Sequence, residues 1–222
     1  MSGFSYLPAL TAVPGLPTVS DFTYGVGIAA VAVFAVTGVL EAGRKGMDIV
    51  GVTVVALATA LGGGTVRDLL LDRPVFWVAD QAYLLVTLAA AFITFFLARA
   101  VHLPPKIFLI PDAIGLALFS VAGTQIALDG HTPWLVASLM GVVTGVFGGV
   151  LRDIFCNEIP LVFLPGELYA SAAWAGALTL VGLRLVGVEE ITAGWIGMAV
   201  VFALRIGGMH PRVRLPTFTV RK

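Results

Sequence analysis

The fold this sequence predicts is an all-α polytopic membrane protein: seven transmembrane helices, in an inverted 3+3 repeat plus a seventh helix. Three observations predict it. The chain has 222 residues, 59% hydrophobic and only 12% charged, where a soluble domain carries about 25% charged residues; its mean hydropathy is +1.00. Apolar runs recur along it, each close to the roughly 20 residues that cross a bilayer. Two stretches, Gly62-Gly63-Gly64-Thr65-Val66-Arg67-Asp68 and Gly148-Gly149-Val150-Leu151-Arg152-Asp153, repeat one another 85 positions apart.

Residues 1–22 hold no Lys or Arg and include Pro8, Pro14 and Pro17. Without a basic n-region they do not form a signal peptide, and they read as a short external tail. The spans follow at about 23–41, 48–71, 81–101, 110–128, 133–155, 166–187 and 191–208. Charged and turn-forming breaks separate them: Glu41 to Asp48, Asp72-Arg73-Pro74, His102 to Lys106, Asp129 to Pro133, Pro165-Gly166 and Glu189-Glu190. No connection is long enough for a soluble domain, so function resides in the bundle or its short loops. Trp77, Trp134 and Trp195 fall near span ends and read as interface anchors.

A shift of 85 aligns Phe34 with Phe119, Gly38 with Gly123, Arg67-Asp68 with Arg152-Asp153 and Asp72 with Asn157. With one further residue, Pro74 aligns with Pro160 and Tyr83 with Tyr169. The units are 23–103 and 108–188. Three spans is an odd number, so the second unit enters the bilayer upside down relative to the first. The seventh helix, 190–209, stands outside the repeat, and 210–222 form a basic cytoplasmic tail. Lys and Arg concentrate on the side that holds this tail, which places the N-terminus outside and the C-terminus in the cytoplasm of a cell (inner) membrane.

Ala56, Ala60 and Gly64 on the second span, and Gly141, Gly145 and Gly149 on the fifth, form ridges of small residues that predict close packing between those two helices. Gly62, Gly63, Gly64, Gly148 and Gly149 weaken their helices and permit a kink or an unwound turn, whose carbonyl oxygens can face a dehydrated cation. Arg67 and Arg152 then act as counter-charge or gate, with Asp68 and Asp153 fixing them. The plainer alternative is that the glycines serve packing alone and the Arg-Asp pairs cap helix ends. Asp112 reads either as an N-cap or as a polar group in a pathway. Ser120 and Thr124 read as pore lining or as interhelical hydrogen-bond glue.

Other chemistry is poorly supplied. Lys+Arg and Asp+Glu are 13 each, so net charge points to no nucleic acid partner. The single Cys156 excludes an intrachain disulfide and reads as a buried thiol. His102, His131 and His210 lie in three separate loops, so no metal is expected beyond transient monovalent cations. No phosphate loop, zinc-protease or nucleophile-elbow motif is present. The sequence predicts no enzyme and no cofactor.

The sequences Gly62 to Asp68, Asp112-Ala113-Ile114-Gly115-Leu116-Ala117-Leu118-Phe119 and Gly148 to Ile154, followed by Pro160 and Glu167-Leu168-Tyr169, resemble the prokaryotic branch of the trimeric intracellular cation (TRIC) channel family. Some members of that branch are described as glycine transporters. The resemblance spans about 23–187. It implies seven helices, an inverted repeat, a homotrimer, and a pore in each protomer near kinked second and fifth helices that conducts potassium and other monovalent cations. Animal members carry Lys-Glu-Val after the first glycines, where this chain has Thr65-Val66-Arg67, and Phe147 stands where the first repeat has Gly62. The expected function is a monovalent-cation (potassium) channel passing K+ or Na+ amid membrane lipids. The alternative is a secondary transporter of a small zwitterion such as glycine.

Overall fold

A computed structural model describes residues 20–100, 104, 107–165 and 168–209. The predicted basic tail, most of the predicted external tail, His102, Lys106, Glu167 and His210 lie outside the described residues. Among the described residues eight α-helices run in order: α1 Asp21–Arg44, α2 Ile49–Leu70, the single turn α3 Phe76–Ala79, α4 Gln81–Ala100, α5 Leu109–Asp129, α6 Trp134–Phe155, α7 Ala170–Leu185 and α8 Glu190–Gly208, with a 3-10 turn at Leu161–Phe163 before α7.

Six of these are long and apolar enough to cross a membrane, and α7 is a shorter apolar helix. The protein is an all-helical membrane protein. The first helix begins at Asp21, inside the stretch expected to be external tail. The Ser20 hydroxyl oxygen caps it by accepting from the Thr23 amide at 3.1 Å. Asp48 caps α2 in the same way through Gly51, at 2.8 Å. The expected sixth span at 166–187 is trimmed to the 16 residues of α7, because the chain before it turns at Leu161–Phe163 and sends Tyr169 into the core.

The core has two centres. One joins α1, α2 and α4 around Val31, Phe34 and Val55; the other joins α5 to α8 around Leu116, Tyr169 and Leu180. The two meet where α2 packs on α6 and α1 on α5. By contrast α4 buries little of itself and leaves Phe92, Ile93, Phe96 and Leu97 exposed.

Residues 85 apart make matching contacts across that meeting point. Phe34 and Phe119 stack edge to face at 5.1 Å. A Cβ added to Gly63 would lie 2.1 Å from the Thr144 carbonyl oxygen, and one added to Gly148 would lie 2.2 Å from the Thr59 carbonyl oxygen. At both positions bare backbone of one helix touches bare backbone of the other. Helical hydrogen bonding continues through the glycines of α2 and α6, so the unwound turn expected there is absent. A glycine removes a Cβ without breaking a helix that neighbouring helices hold in place.

The small-residue ridges meet other partners than those expected. Ala56 faces Gly38 of α1, where an added Cβ would lie 2.8 Å from the Ala56 Cα. Gly141 and Gly145 face Thr124 and Ser120 of α5. Ala60 is buried among residues of the first core. The α2–α6 contact is made one helical face away, by Thr59, Gly62 and Gly63 against Thr144, Gly148 and Leu151. Successive helical residues differ in direction by about 100°, so ridge spacing alone left the facing register open.

Candidate functional site

Near the end of α2, the Arg67 guanidinium donates through Nε to Asp68 Oδ1 at 2.8 Å and lies over the Phe76 ring at 5.5 Å. The other carboxylate oxygen, Asp68 Oδ2, accepts from the Phe76 backbone amide at 2.9 Å. Near the end of α6 the arrangement recurs. Arg152 Nε donates to Asp153 Oδ1 at 2.8 Å, and Asp153 Oδ2 accepts from the Leu161 amide at 3.0 Å. Each aspartate thus clamps an arginine with one oxygen and the following turn with the other. All four side chains are buried, so these are not snorkelling end caps.

The turns themselves are equivalent. Asp72 and Asn157 both adopt left-handed backbone, φ 50° and 55°. Arg73 N donates to Asp68 O, and Glu158 N to Asp153 O, each at 2.8 Å. Asp and Asn tolerate that conformation better than most residues, which is the local reason for these types there. The short turns at Phe76 and Leu161, which receive the aspartates, were not legible beforehand. The prolines at 74 and 160 were the available signal.

The second cluster holds more charge than the first. Arg152 Nη1 donates to Asp112 Oδ1 at 2.5 Å, and the Tyr169 hydroxyl donates to the same oxygen at 3.1 Å. The Arg152 guanidinium also faces the Phe108 ring at 5.0 Å, and Arg205 of α8 faces the Tyr169 ring at 4.9 Å. Asp112, Arg152 and Arg205 are fully buried. Asp112 does not cap α5: Phe108 is the N-cap, and Asp112 lies in the first turn with its side chain on Arg152. Tyr169, Arg205 and Phe108 were missed as site residues. The Tyr83–Tyr169 repeat pair, and the place of Tyr169 in the motif that carries the family resemblance, were the signals for one of them.

Position 27 is the repeat equivalent of 112, and it is glycine. A Cβ added there would lie 3.2 Å from the Tyr83 hydroxyl. Where Tyr169 meets a carboxylate, Tyr83 meets bare backbone and stacks on Tyr24 and Phe76. The first cluster therefore has no counterpart of the Asp112 ion pair.

Between the clusters lie the other expected residues. Ser120 and Thr124 are buried on α5 beneath Gly145 and Gly141, and the Thr124 hydroxyl donates to the Ser120 carbonyl at 2.8 Å. Among the described residues, Asp112 Oδ2, Arg152 Nη2, Ser120 Oγ and Gln125 Oε1 are buried polar atoms without a hydrogen-bond partner. A cavity of about 760 Å³ opens beside Arg44, Met47, Phe95, Arg99 and Phe108, so Phe108 borders both this cavity and Arg152. Among the described residues no group of three or more His, Cys, Asp or Glu side chains could hold a metal ion.

Comparison with known proteins gives a consistent picture. The family model described as "Glycine transporter" matches residues 25–99 and again 109–184. The inner membrane protein YadS of Escherichia coli is 40% identical over 200 residues, covering 89% of this chain and 96% of its own length. The solved structure of the trimeric intracellular cation channel orthologue from Rhodobacter sphaeroides superposes with a TM-score of 0.81 at 41% identity, covering 86% of this chain and 98% of that one. A second TRIC cation channel structure gives 0.79 at 32% identity, covering 90% and 98%.

Proposed function

The chain belongs to the TRIC family, the family whose model is described as "Glycine transporter", and from that premise we propose that it is a monovalent-cation channel conducting potassium. Its route runs through each protomer along the meeting of α2 and α6. The two units 23–103 and 108–188 form an inverted repeat, so the Arg67 cluster lies at the outer end and the Arg152 cluster at the inner. The N-terminus is outside, the C-terminus cytoplasmic, and three protomers assemble through exposed apolar faces such as that of α4.

The observation that carries this reading is the set of buried polar atoms without protein partners, from Asp112 Oδ2 and Arg152 Nη2 to Gln125 Oε1. Gln125 lies thirteen positions after Asp112 on α5, about 20 Å along the helix. Polar groups so placed call for water or ions, and intramembrane charge marks transport paths. Asp68 and Asp153 neutralise the two arginines, which removes the objection that guanidinium groups would repel a cation.

A carrier of a small zwitterion is the second reading, favoured by the description of the matching family model and by arginines able to bind a carboxylate. Reconstitution separates the two. Unitary potassium currents in planar bilayers support the channel; saturable uptake of labelled glycine without unitary current supports the carrier. If Arg67→Ala and Arg152→Ala both leave conductance and open probability untouched, the roles assigned to them are wrong.

A further inference from the structure

A second, smaller cleft lies away from both Arg-Asp clusters. It encloses about 230 Å³ between the end of α5, the start of α6 and the end of α7, and is bordered by Gln125, Asp129, Trp134, Val181, Arg184 and Leu185. Each residue lining it has a repeat equivalent lining the cavity of about 760 Å³, 85 positions earlier for α5 and α6 and 86 earlier for α7. The two sets differ in charge. Arg44 is matched by Asp129, Leu40 by Gln125, Ala98 by Arg184 and Arg99 by Leu185. A cavity with two guanidinium groups therefore has, as its counterpart, a cleft with one carboxylate and one guanidinium. Phe108, just before α5, borders the cavity, and Asp129, the last residue of α5, borders the cleft. The 21 residues of α5 span about 32 Å, close to the thickness of a bilayer's hydrocarbon core. Cavity and cleft thus stand at opposite ends of a spanning helix, each at the level of lipid headgroups.

We propose that the cleft binds a zwitterionic phospholipid with a primary ammonium, of the phosphatidylethanolamine class, with Asp129 receiving the ammonium and Arg184 the phosphate. This holds whether the protein is a channel or a carrier. The two charges are available for such a partner. Among the described residues no ion pair joins Asp129 to Arg184. Asp129 Oδ1 accepts from Gln125 Nε2 at 2.7 Å, which fixes the carboxylate without neutralising it. Gln125 is buried, and its Oε1 is without a partner among the described residues, so the inner wall of the cleft keeps an acceptor to be satisfied. Arg184 is exposed and donates through Nη1 to the neutral Val188 carbonyl at 3.4 Å. Arg73 also reaches the end of α5, but it donates to the Ile126 carbonyl at 3.5 Å. The rim favours a lipid over a dissolved zwitterion, because it is apolar. Trp134 is 53% exposed and Leu185 72%, and tryptophan is favoured at headgroup level. Trp174 lies eleven positions before Leu185 on the same face of α7, and its partly exposed indole donates to Ser138 of α6 at 3.1 Å. An acyl chain descending from the cleft along α6 and α7 covers these rings, which a free amino acid leaves bare. The volume falls below the ~300–1,000 Å³ of ordinary small-molecule sites and suits a short headgroup.

The test is lipid binding to the full-length protein in detergent, read by native mass spectrometry. The probes are palmitoyl-oleoyl phosphatidylethanolamine, its N-acetylated form, which keeps the phosphate and loses the ammonium, and palmitoyl-oleoyl phosphatidylglycerol. Wild type should hold phosphatidylethanolamine at least about tenfold more tightly than the other two, the effect of one charge-assisted hydrogen bond. Asp129→Asn should abolish that preference. Asp129→Arg, which copies the charge of its repeat equivalent Arg44, should turn it toward phosphatidylglycerol. Arg184→Gln should weaken all three lipids about tenfold. Thermal midpoints without added lipid identify a variant that does not fold; Arg184 is exposed, so Arg184→Gln keeps the test decisive if an Asp129 variant fails. Equal retention of the three lipids by wild type overturns the site, as does phosphatidylethanolamine binding that neither Asp129→Asn nor Arg184→Gln alters. Displacement of the lipid by free glycine or phosphoethanolamine at the lipid's own concentration makes the occupant a dissolved zwitterion and overturns the lipid assignment.

Discussion

A methyl group added to Gly63 or Gly148 tests the helix contact on which the architecture depends. The new Cβ at Gly63 would sit 2.1 Å from the Thr144 carbonyl oxygen, and that at Gly148 2.2 Å from the Thr59 carbonyl oxygen. Ordinary contact begins near 3.4 Å, so α2 and α6 must part by about 1.3 Å at either site. The obstructing atom is backbone, which cannot swing aside like a side chain. Overpacking of this kind costs about 1–3 kcal/mol. In a chain of this length that corresponds to a fall of very roughly 2–10 °C in thermal midpoint. Gly63→Ala and Gly148→Ala would be measured by thermal unfolding of the purified protein in detergent, against Gly25→Ala and Gly182→Ala, where no atom lies within 4 Å of the added carbon. Because one separation of the helices accommodates both methyl groups, the double variant should cost less than the sum of the singles, a coupling of at least about 0.5 kcal/mol. Midpoints for Gly63→Ala and Gly148→Ala equal to those of the two controls, or strict additivity in the double variant, would refute the reasoning.

Phe34 is wholly buried between α5 and α6 against Gly115, Gly148 and Phe119. Phe34→Ala should therefore cost about 3–5 kcal/mol, read as a lower thermal midpoint in detergent; an unchanged midpoint would contradict its place in the packed core. The Cys156 thiol is buried, and burial pushes its pKa up to about 11. At pH 7.5 roughly one thiol in 3,000 is ionised, so a maleimide should label the folded protein negligibly and the detergent-unfolded protein fully. The exposed Glu158 accepts from Lys45 at 2.6 Å and from Arg44 at 2.7 Å, and these donors hold its carboxyl below the ordinary value. A lowered carboxyl pKa stabilises the fold above the unfolded-state value, and that contribution is lost as pH falls through the folded-state value. The thermal midpoint of wild type should exceed that of Glu158→Gln near neutrality, and the gap should shrink as pH falls below the ordinary carboxyl value of about 4.3; a gap that keeps its neutral-pH size all the way into the acid limb would disprove the ion-pair account.

The spans were largely legible because bilayer thickness and apolar length are tied together by simple geometry. The first helix is seen at 21–44 against an expected 23–41, and the fourth span at 109–129 against 110–128. The duplicated glycine and Arg-Asp motifs were legible for a similar reason: buried charge is too costly to occur twice in register by accident. What escaped the reading was whatever depends on facing direction. Asp112 resembled a cap because it follows a proline near a helix start, yet its role is fixed by Arg152, forty residues away in the chain. Arg205 had no local pattern at all, and the pairing of Tyr169 with Tyr83 marked a position without naming its partners, since a ring stacked on a guanidinium from another helix leaves no periodic trace. The glycines resembled points of weakness because glycine is a poor helix former in isolation; within a packed bundle their missing side chains let two backbones touch.

The paired contacts of Gly63 with Thr144 and Gly148 with Thr59 have a mechanical consequence. Two points of backbone contact define a line, as two bearings define an axle. Sliding one helix along the other would pull both bearings out of their seats together. Rolling about the line leaves both seated while the flanking turns swing apart on one side and together on the other.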